Sequence, residues 1–191
     1  VTAATNATTL DVNGTTTIAT NTTFVANSAN PLTIAGNFTN SGIFTAGTGT
    51  TTFDGASAQT LQGSMTGASA FGNVVMSGAG EKTFSNAAST TNFSILSGAS
   101  VVAPSALTVI GNLSNDGTFT ANGGLVTLTG TNQTISTVAT TTFYSLTKRV
   151  TTTDTLTFTA GKEYEFAGTL TLSGTAGNLL LLRSSASGTY W

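Results

Sequence analysis

Apolar and polar residues alternate along this chain in short runs, not in helical or long-strand patterns. Thr127-Leu128-Thr129, Thr155-Leu156-Thr157-Phe158-Thr159 and Thr169-Leu170-Thr171-Leu172 each switch with period two, as expected of strands with one face buried. On such strands Leu156, Phe158, Leu170 and Leu172 share one face and the threonines take the other. Between the runs stand Asn40-Ser41-Gly42, Ser77-Gly78-Ala79-Gly80, Asn115-Asp116-Gly117 and Asn122-Gly123-Gly124, where Gly and Asn can take positive φ cheaply and so mark turns. The spacing predicts about twenty short strands, one every nine or ten residues, and no helix. Pro31 and Pro104 each precede an apolar strand, where a missing N–H matters least.

A longer repeat organises these strands. LTIAGNFTNSGIFTAG from Leu32 matches LTVIGNLSNDGTFTAN from Leu107 at an offset of about 75 residues. Gly36 aligns with Gly111, Asn37 with Asn112, Asn40 with Asn115, Gly42 with Gly117 and Phe44 with Phe119. The match continues through Phe53/Leu128 and Gly55/Gly130, slips by one, and resumes with Gln59-Thr60-Leu61 against Gln133-Thr134-Ile135. A partial third copy, Gly168 to Gly174, resembles Ala106 to Gly111.

Two all-β architectures fit: a parallel β-helix (β-solenoid) of about seven coils, or two tandem β-sandwich domains of about 90 residues each. The solenoid is favoured because the repeat divides into three coils of about 25 residues and because the strands are uniformly short. The buried Trp that anchors many sandwiches is also missing, the one Trp being Trp191. At roughly 4.8 Å per coil the rod would be about 35 Å long. Residues 1–191 are thus read as one solenoid segment, with copies at about 32–105 and 107–172 and partial copies at both ends. The chain begins at Val1 and shows no leader pattern, so it is read as part of a longer chain.

Composition agrees with such a rod. Charged residues make up 6% of the chain, against roughly 25% in ordinary soluble domains. The polarity comes instead from residues such as the 44 threonines, which suit outward strand positions. The net charge of −2 argues against a nucleic-acid partner. The longest apolar run, Leu179-Leu180-Leu181-Leu182, is too short for membrane insertion. Open strand edges at the two ends would pair with neighbouring coils or sister chains.

LTVIGNLSNDGTFTANGGLVTLTG from Leu107 and GTLTLSGTAGNLLLLRSSASGTYW from Gly168 resemble the repetitive β-helical regions of very large bacterial cell-surface and adhesin-like proteins. The resemblance implies an exported, extracellular and non-catalytic protein serving attachment, envelope or filament roles. It carries over no binding residues, because its motif positions are strand and turn positions, and the GGxGxD calcium pattern is missing.

The side chains offer little chemistry. With no His and no Cys, the usual nucleophile–base pairs and thiolate metal sites are excluded. Of the seven acids only Glu163 and Glu165 are close in sequence. They could form a carboxylate pair or cation site near Lys162 or Lys148, but read more simply as an outward face around inward Tyr164 and Phe166. Asp54 and Asp116 adjoin Gly55 and Gly117 as turn residues. Lys148-Arg149 reads as a solubilising or edge-protecting pair. No catalytic, cofactor-binding or metal residue is assigned, no cofactor is expected, and the chain is read as not an enzyme.

The function expected is therefore that of a structural or adhesive rod presenting Thr/Asn/Ser ladders to glycans or surfaces. The alternatives are a self-assembling filament or surface-layer subunit, and an ice- or carbohydrate-binding module. For ice, T-x-T pairs would have to recur in every coil. At the repeat offset Thr118/Thr120 becomes Ile43/Thr45 and Thr127/Thr129 becomes Thr52/Asp54, so the row is broken.

Overall fold

A computed structural model describes residues 9–26 and 30–190; Val1 and Trp191 lie outside the described residues. The chain winds as a parallel β-solenoid with three faces, its strands numbered β1–β24 in chain order. Face one is a nine-stranded sheet of β1 (Leu10–Val12), β4 (Leu32–Ile34), β7 (Thr50–Phe53), β9 (Asn73–Met76), β12 (Phe93–Ile95), β15 (Leu113–Asn115), β18 (Gln133–Thr137), β21 (Asp154–Phe158) and β24 (Leu180–Ser184). Face two holds β2 (Thr16–Ile18), β5 (Phe38–Asn40), β8 (Gln59–Gly63), β10 (Glu81–Phe84), β13 (Ser100–Val102) and β16 (Thr118–Thr120), and continues as β19 (Thr141–Phe143) and β22 (Tyr164–Phe166). Face three begins as β3 (Thr23–Val25) and β6 (Ile43–Thr45). An irregular stretch follows, with a short 3-10 turn at Gly67–Ser69. The face resumes as β11 (Ala88–Thr90), β14 (Ala106–Val109), β17 (Leu125–Leu128), β20 (Ser145–Arg149) and β23 (Leu170–Ser173).

Every pairing between these strands is parallel. The nine strands of face one mark eight turns, close to the seven expected from the sequence. The turns are unequal. Leu10 lies opposite Leu32, Leu32 opposite Thr51, and the column continues through Val74, Phe93, Leu113, Ile135 and Phe158 to Ser184. Along this column one turn takes 19 residues at its shortest, as from Leu32 to Thr51, and 26 at its longest, Phe158 to Ser184.

This geometry changes the meaning of the repeat. Leu32 belongs to β4 on face one, while its counterpart Leu107 belongs to β14 on face three. Between them the chain makes three full turns, β4 to β7, β9 and β12, and then two faces more. The repeat is not three coils of about 25 residues. It is a run of strands and corners whose second copy sits two-thirds of a turn further round the rod.

The interior is a column of stacked apolar side chains. Phe38 is fully buried and its ring centroid lies 5.6 Å from Phe44, 5.9 Å from Phe53 and 5.7 Å from Phe71. Further along, Phe143 lies 5.5 Å from Phe119 and 5.8 Å from Phe166. Aromatic pairs at these separations add about 0.5–1.5 kcal/mol each beyond their buried area.

The turn glycines serve two different ends. Gly78 and Gly123, next to Asn122, do adopt positive φ. Gly42 and Gly117 do not. A Cβ on Gly42 would strike the carbonyls of Ala19 and Thr22, and one on Gly117 those of Leu96 and Ala99. There glycine is needed because the previous coil's backbone passes too close for a side chain.

Phe38→Ala should lower the unfolding free energy by about 3–5 kcal/mol, the range for a buried aromatic, read as a lower urea midpoint. Thr17→Ala, on an exposed position of the adjacent coil, should change it by less than about 0.5 kcal/mol.

Candidate functional site

Bending a strand inward at each corner leaves backbone groups facing the interior, where water cannot serve them. Two glutamines from equivalent repeat positions answer this need. Gln59 Nε2 donates to Ile34 O at 2.9 Å and Gly36 O at 2.6 Å, and its Oε1 accepts from Gly55 N–H. Gln133 Nε2 donates to Val109 O at 3.0 Å and Gly111 O at 2.6 Å. Outside the same corners, Asn37 Oδ1 accepts from Thr60 N–H and Asn112 Oδ1 from Thr134 N–H, both at 2.8 Å. The same local structure is thus built at two different corners of the rod.

Two lysines enter these corners from the next coil. Lys82 is fully buried, and its ammonium donates to Gly55 O at 3.1 Å, Gly78 O at 2.9 Å and Gly80 O at 2.6 Å. Burial pushes its pKa down from the usual lysine value, and the nearby Asp54 carboxylate opposes that only in part. Lys148 is also fully buried, so it is not a surface charge; only its neighbour Arg149 faces out. Its ammonium lies 2.8 Å from each of Gly130 O, Gln133 Oε1 and Asp154 Oδ2. Two hydrogen bonds and one ion pair thus surround the ammonium.

Asp154 completes this cluster. Its Oδ1 accepts from the backbone N–H groups of Asn132 at 2.6 Å and Thr155 at 2.7 Å. Burial alone would raise its pKa, but the Asn132 N–H, the Lys148 ammonium and the Thr155 N–H outweigh it, and the carboxyl sits below the ordinary value. Such a network is a corner clamp held by the Lys148–Asp154 ion pair and the backbone around it.

The sequence held a signal for these residues that the reading of charges alone overlooked. Lys82 shares strand parity with Phe84, and Lys148 with Leu146, so each lysine occupies an inward position. The repeat aligns Gln59 with Gln133, and only their parity with Leu61 and Ile135 marks them as inward.

Of the acidic residues singled out, Glu163 and Glu165 are exposed, while Tyr164 and Phe166 pack against the core. Glu165 Oε2 accepts from Thr142 Oγ1 at 2.6 Å, and Lys162 Nζ donates to Val138 O at 2.7 Å. Lys148 lies elsewhere, inside its corner. Asp54 and Asp116 stand at corners, half-buried. Among the described residues, no three of His, Cys, Asp and Glu come together.

The outward side of face three carries a continuous hydroxyl row. Ser89 lies opposite Thr108, Thr108 opposite Thr127, Thr127 opposite Thr147, and Thr147 opposite Thr171. Strand pairing spaces these side chains by roughly 4.8 Å. The repeat offset compared the wrong threonines, since Thr127 stacks on Thr108 and not on Thr52. Two outward positions per strand would make a T-x-T lattice, and the second reads Ile110, Thr129, Arg149 and Ser173. Ile110 and Arg149 interrupt it.

The chain matches no protein-family model, no curated protein and no solved structure.

The clamp makes stability depend on acid. Asp154's pKa is depressed in the folded chain, so its contribution is present above the ordinary value of 3.8 and is lost as pH falls through the folded value. Asp154→Asn should flatten that part of the stability–pH curve, measured by urea titrations at successive pH values. Lys148→Met, which strands a buried carboxylate, should cost about 3–5 kcal/mol, and Lys148→Met/Asp154→Leu should recover most of it.

Proposed function

We propose that this chain is a structural and adhesive segment of a secreted or cell-surface protein. On this reading it is a stiff solenoid rod that offers ladders of hydroxyl and amide groups to glycans or other hydrogen-bonding surfaces. The observation that carries the reading is the unbroken outward row from Ser89 through Thr108, Thr127 and Thr147 to Thr171. An extended polysaccharide presents hydroxyls along its length, and a row of fixed donors and acceptors meets such a ligand without needing a pocket.

The placement of charge supports the same reading. Three of the 12 charged side chains, Lys82, Lys148 and Asp154, are buried in corner clamps. Most of the outer surface is left to Thr, Ser, Asn and Gly. Stiffness follows from the register, because each coil is hydrogen-bonded to the next on several faces and neighbours share one apolar column. The family resemblance, to repetitive β-helical regions of bacterial surface and adhesin-like proteins, points the same way.

The test is retention of the purified chain on insoluble polysaccharides and a glycan array, beside a Thr108→Val/Thr127→Val/Thr147→Val variant. Valine keeps the β-branched shape and removes the hydroxyls. Retention by at least one polysaccharide, weakened about tenfold or more in the variant, is the expected result, three lost hydrogen bonds of about 0.5–1.5 kcal/mol each being enough. Equal retention of both proteins, or of neither, would reject the reading.

A further inference from the structure

We propose that the glycan taken by the hydroxyl row is an acidic one, a polysaccharide whose sugars carry carboxylates, and that Arg149 binds a carboxylate beside the row. The inference rests on the reading of that row as a glycan-binding ladder. Arg149 ends β20, two residues after Thr147. Both side chains therefore leave the outer side of face three, roughly 6.6 Å apart along the strand. Arg149 is exposed and stands between Thr129 on one neighbouring coil and Ser173 on the other. The position that breaks the second hydroxyl row thus puts a cation beside the first.

This arginine has no acid of the chain's own to bind. Among the described residues it enters no ion pair, and its guanidinium has no hydrogen-bond partner within the chain. Asp11 lies on face one and Glu81 on face two, while Asp54 and Asp116 stand at the corners leading from one to the other. Glu163 and Glu165 belong to β22 and the residue before it, on face two. The seventh acid, Asp154, is turned inward and paired with Lys148. The outward side chains flanking the row, among them Leu125, Ser145, Ile110 and Thr129, carry no charge. The chain's excess negative charge therefore lies on the other two faces, and face three is the side that a polyanion can approach.

The chemistry of the two side-chain types divides the work. A guanidinium presents parallel N–H donors that match the two oxygens of a carboxylate, and it sheds its water more readily than an ammonium does. The hydroxyls of Thr129, Thr147 and Ser173 can donate to or accept from the sugar's own hydroxyls while the fork holds its acid. A neutral polysaccharide leaves the arginine's charge unanswered, and a uronate polymer answers it. One exposed, screened cation is too weak to hold a polyanion alone. It selects among glycans that the row already holds.

The test is binding of the 191-residue chain to immobilised polygalacturonate and to the same polymer with its carboxylates reduced to alcohols. Arg149→Gln and Arg149→Lys are measured beside it, with Arg183→Gln as a control on face one, each checked for β-structure by circular dichroism. The unaltered chain should bind the acidic polymer about tenfold tighter than the reduced one, the scale of one charge-assisted hydrogen bond. Arg149→Gln should erase that difference, Arg149→Lys should keep part of it, and Arg183→Gln should keep all of it. Added salt should narrow it. Equal binding of the unaltered chain to the two polymers, or a preference that survives Arg149→Gln, would overturn the proposal and leave the hydroxyl row standing. Tighter binding to dextran sulfate than to polygalacturonate would overturn the choice of a carboxylate. Binding to neither form of the polymer would overturn the proposal as well, and the row is then judged separately by its valine variant on the wider set of glycans.

Discussion

Each strand inside a stack satisfies its backbone donors and acceptors on the coils before and after it, because all the pairings are parallel and in register. That requirement dictates what each side chain does. An inward residue must sit on the inward residue of the neighbouring coil, so Leu32, Thr51, Val74, Phe93, Leu113, Ile135 and Phe158 form one buried column. An outward residue must tolerate a neighbour roughly 4.8 Å away on each side. Small β-branched polar residues meet that condition best, and the abundance of threonine follows from it.

Corners are where the constraint fails locally. A three-faced coil must turn, and at the turns some carbonyls point inward, beyond reach of the ladders. An unpaired buried acceptor costs about 1–3 kcal/mol, so a long polar side chain that reaches back into the corner is strongly favoured. Gln59 and Gln133 do this with neutral amides, Lys82 and Lys148 with ammonium groups. The lysines raise the stakes, since a buried ammonium is stable only with several close acceptors. Lys148 has the fuller solution, with a carboxylate that is itself held by two backbone N–H groups.

Period-two alternation was enough to read the strands and the solenoid class, because inward and outward positions of a short strand differ sharply in residue type. Stacking was harder to read. The repeat at about 75 residues preserves local structure, as the matching contacts of Gln59 with Gln133 and of Asn37 with Asn112 demonstrate. It does not preserve position around the rod, because turns measured along face one vary from 19 to 26 residues and the third face is irregular between Met65 and Phe71. No residue-type signal distinguishes a strand on face one from a strand on face three. The buried lysines were missed for a related reason: a lysine beside an arginine suggests surface, and only its parity with Leu146 says otherwise.

The rotation of the repeat bears on how the outer surface is made. Thr33 and Thr52 stack on face one, and their counterparts Thr108 and Thr127 stack on face three. Copying a block of strands therefore carried a hydroxyl pair to a different side of the rod. The row on face three joins Ser89, within the first copy, to Thr108 and Thr127, within the second. A continuous ladder here is not one face inherited whole. It arises because any outward strand position accepts threonine, whichever face it lands on. A rod built this way can carry hydroxyl positions on more than one face, as Thr33/Thr52 and Thr108/Thr127 do. On the proposed reading, that distribution would serve contact with long, repetitive and weakly directional partners.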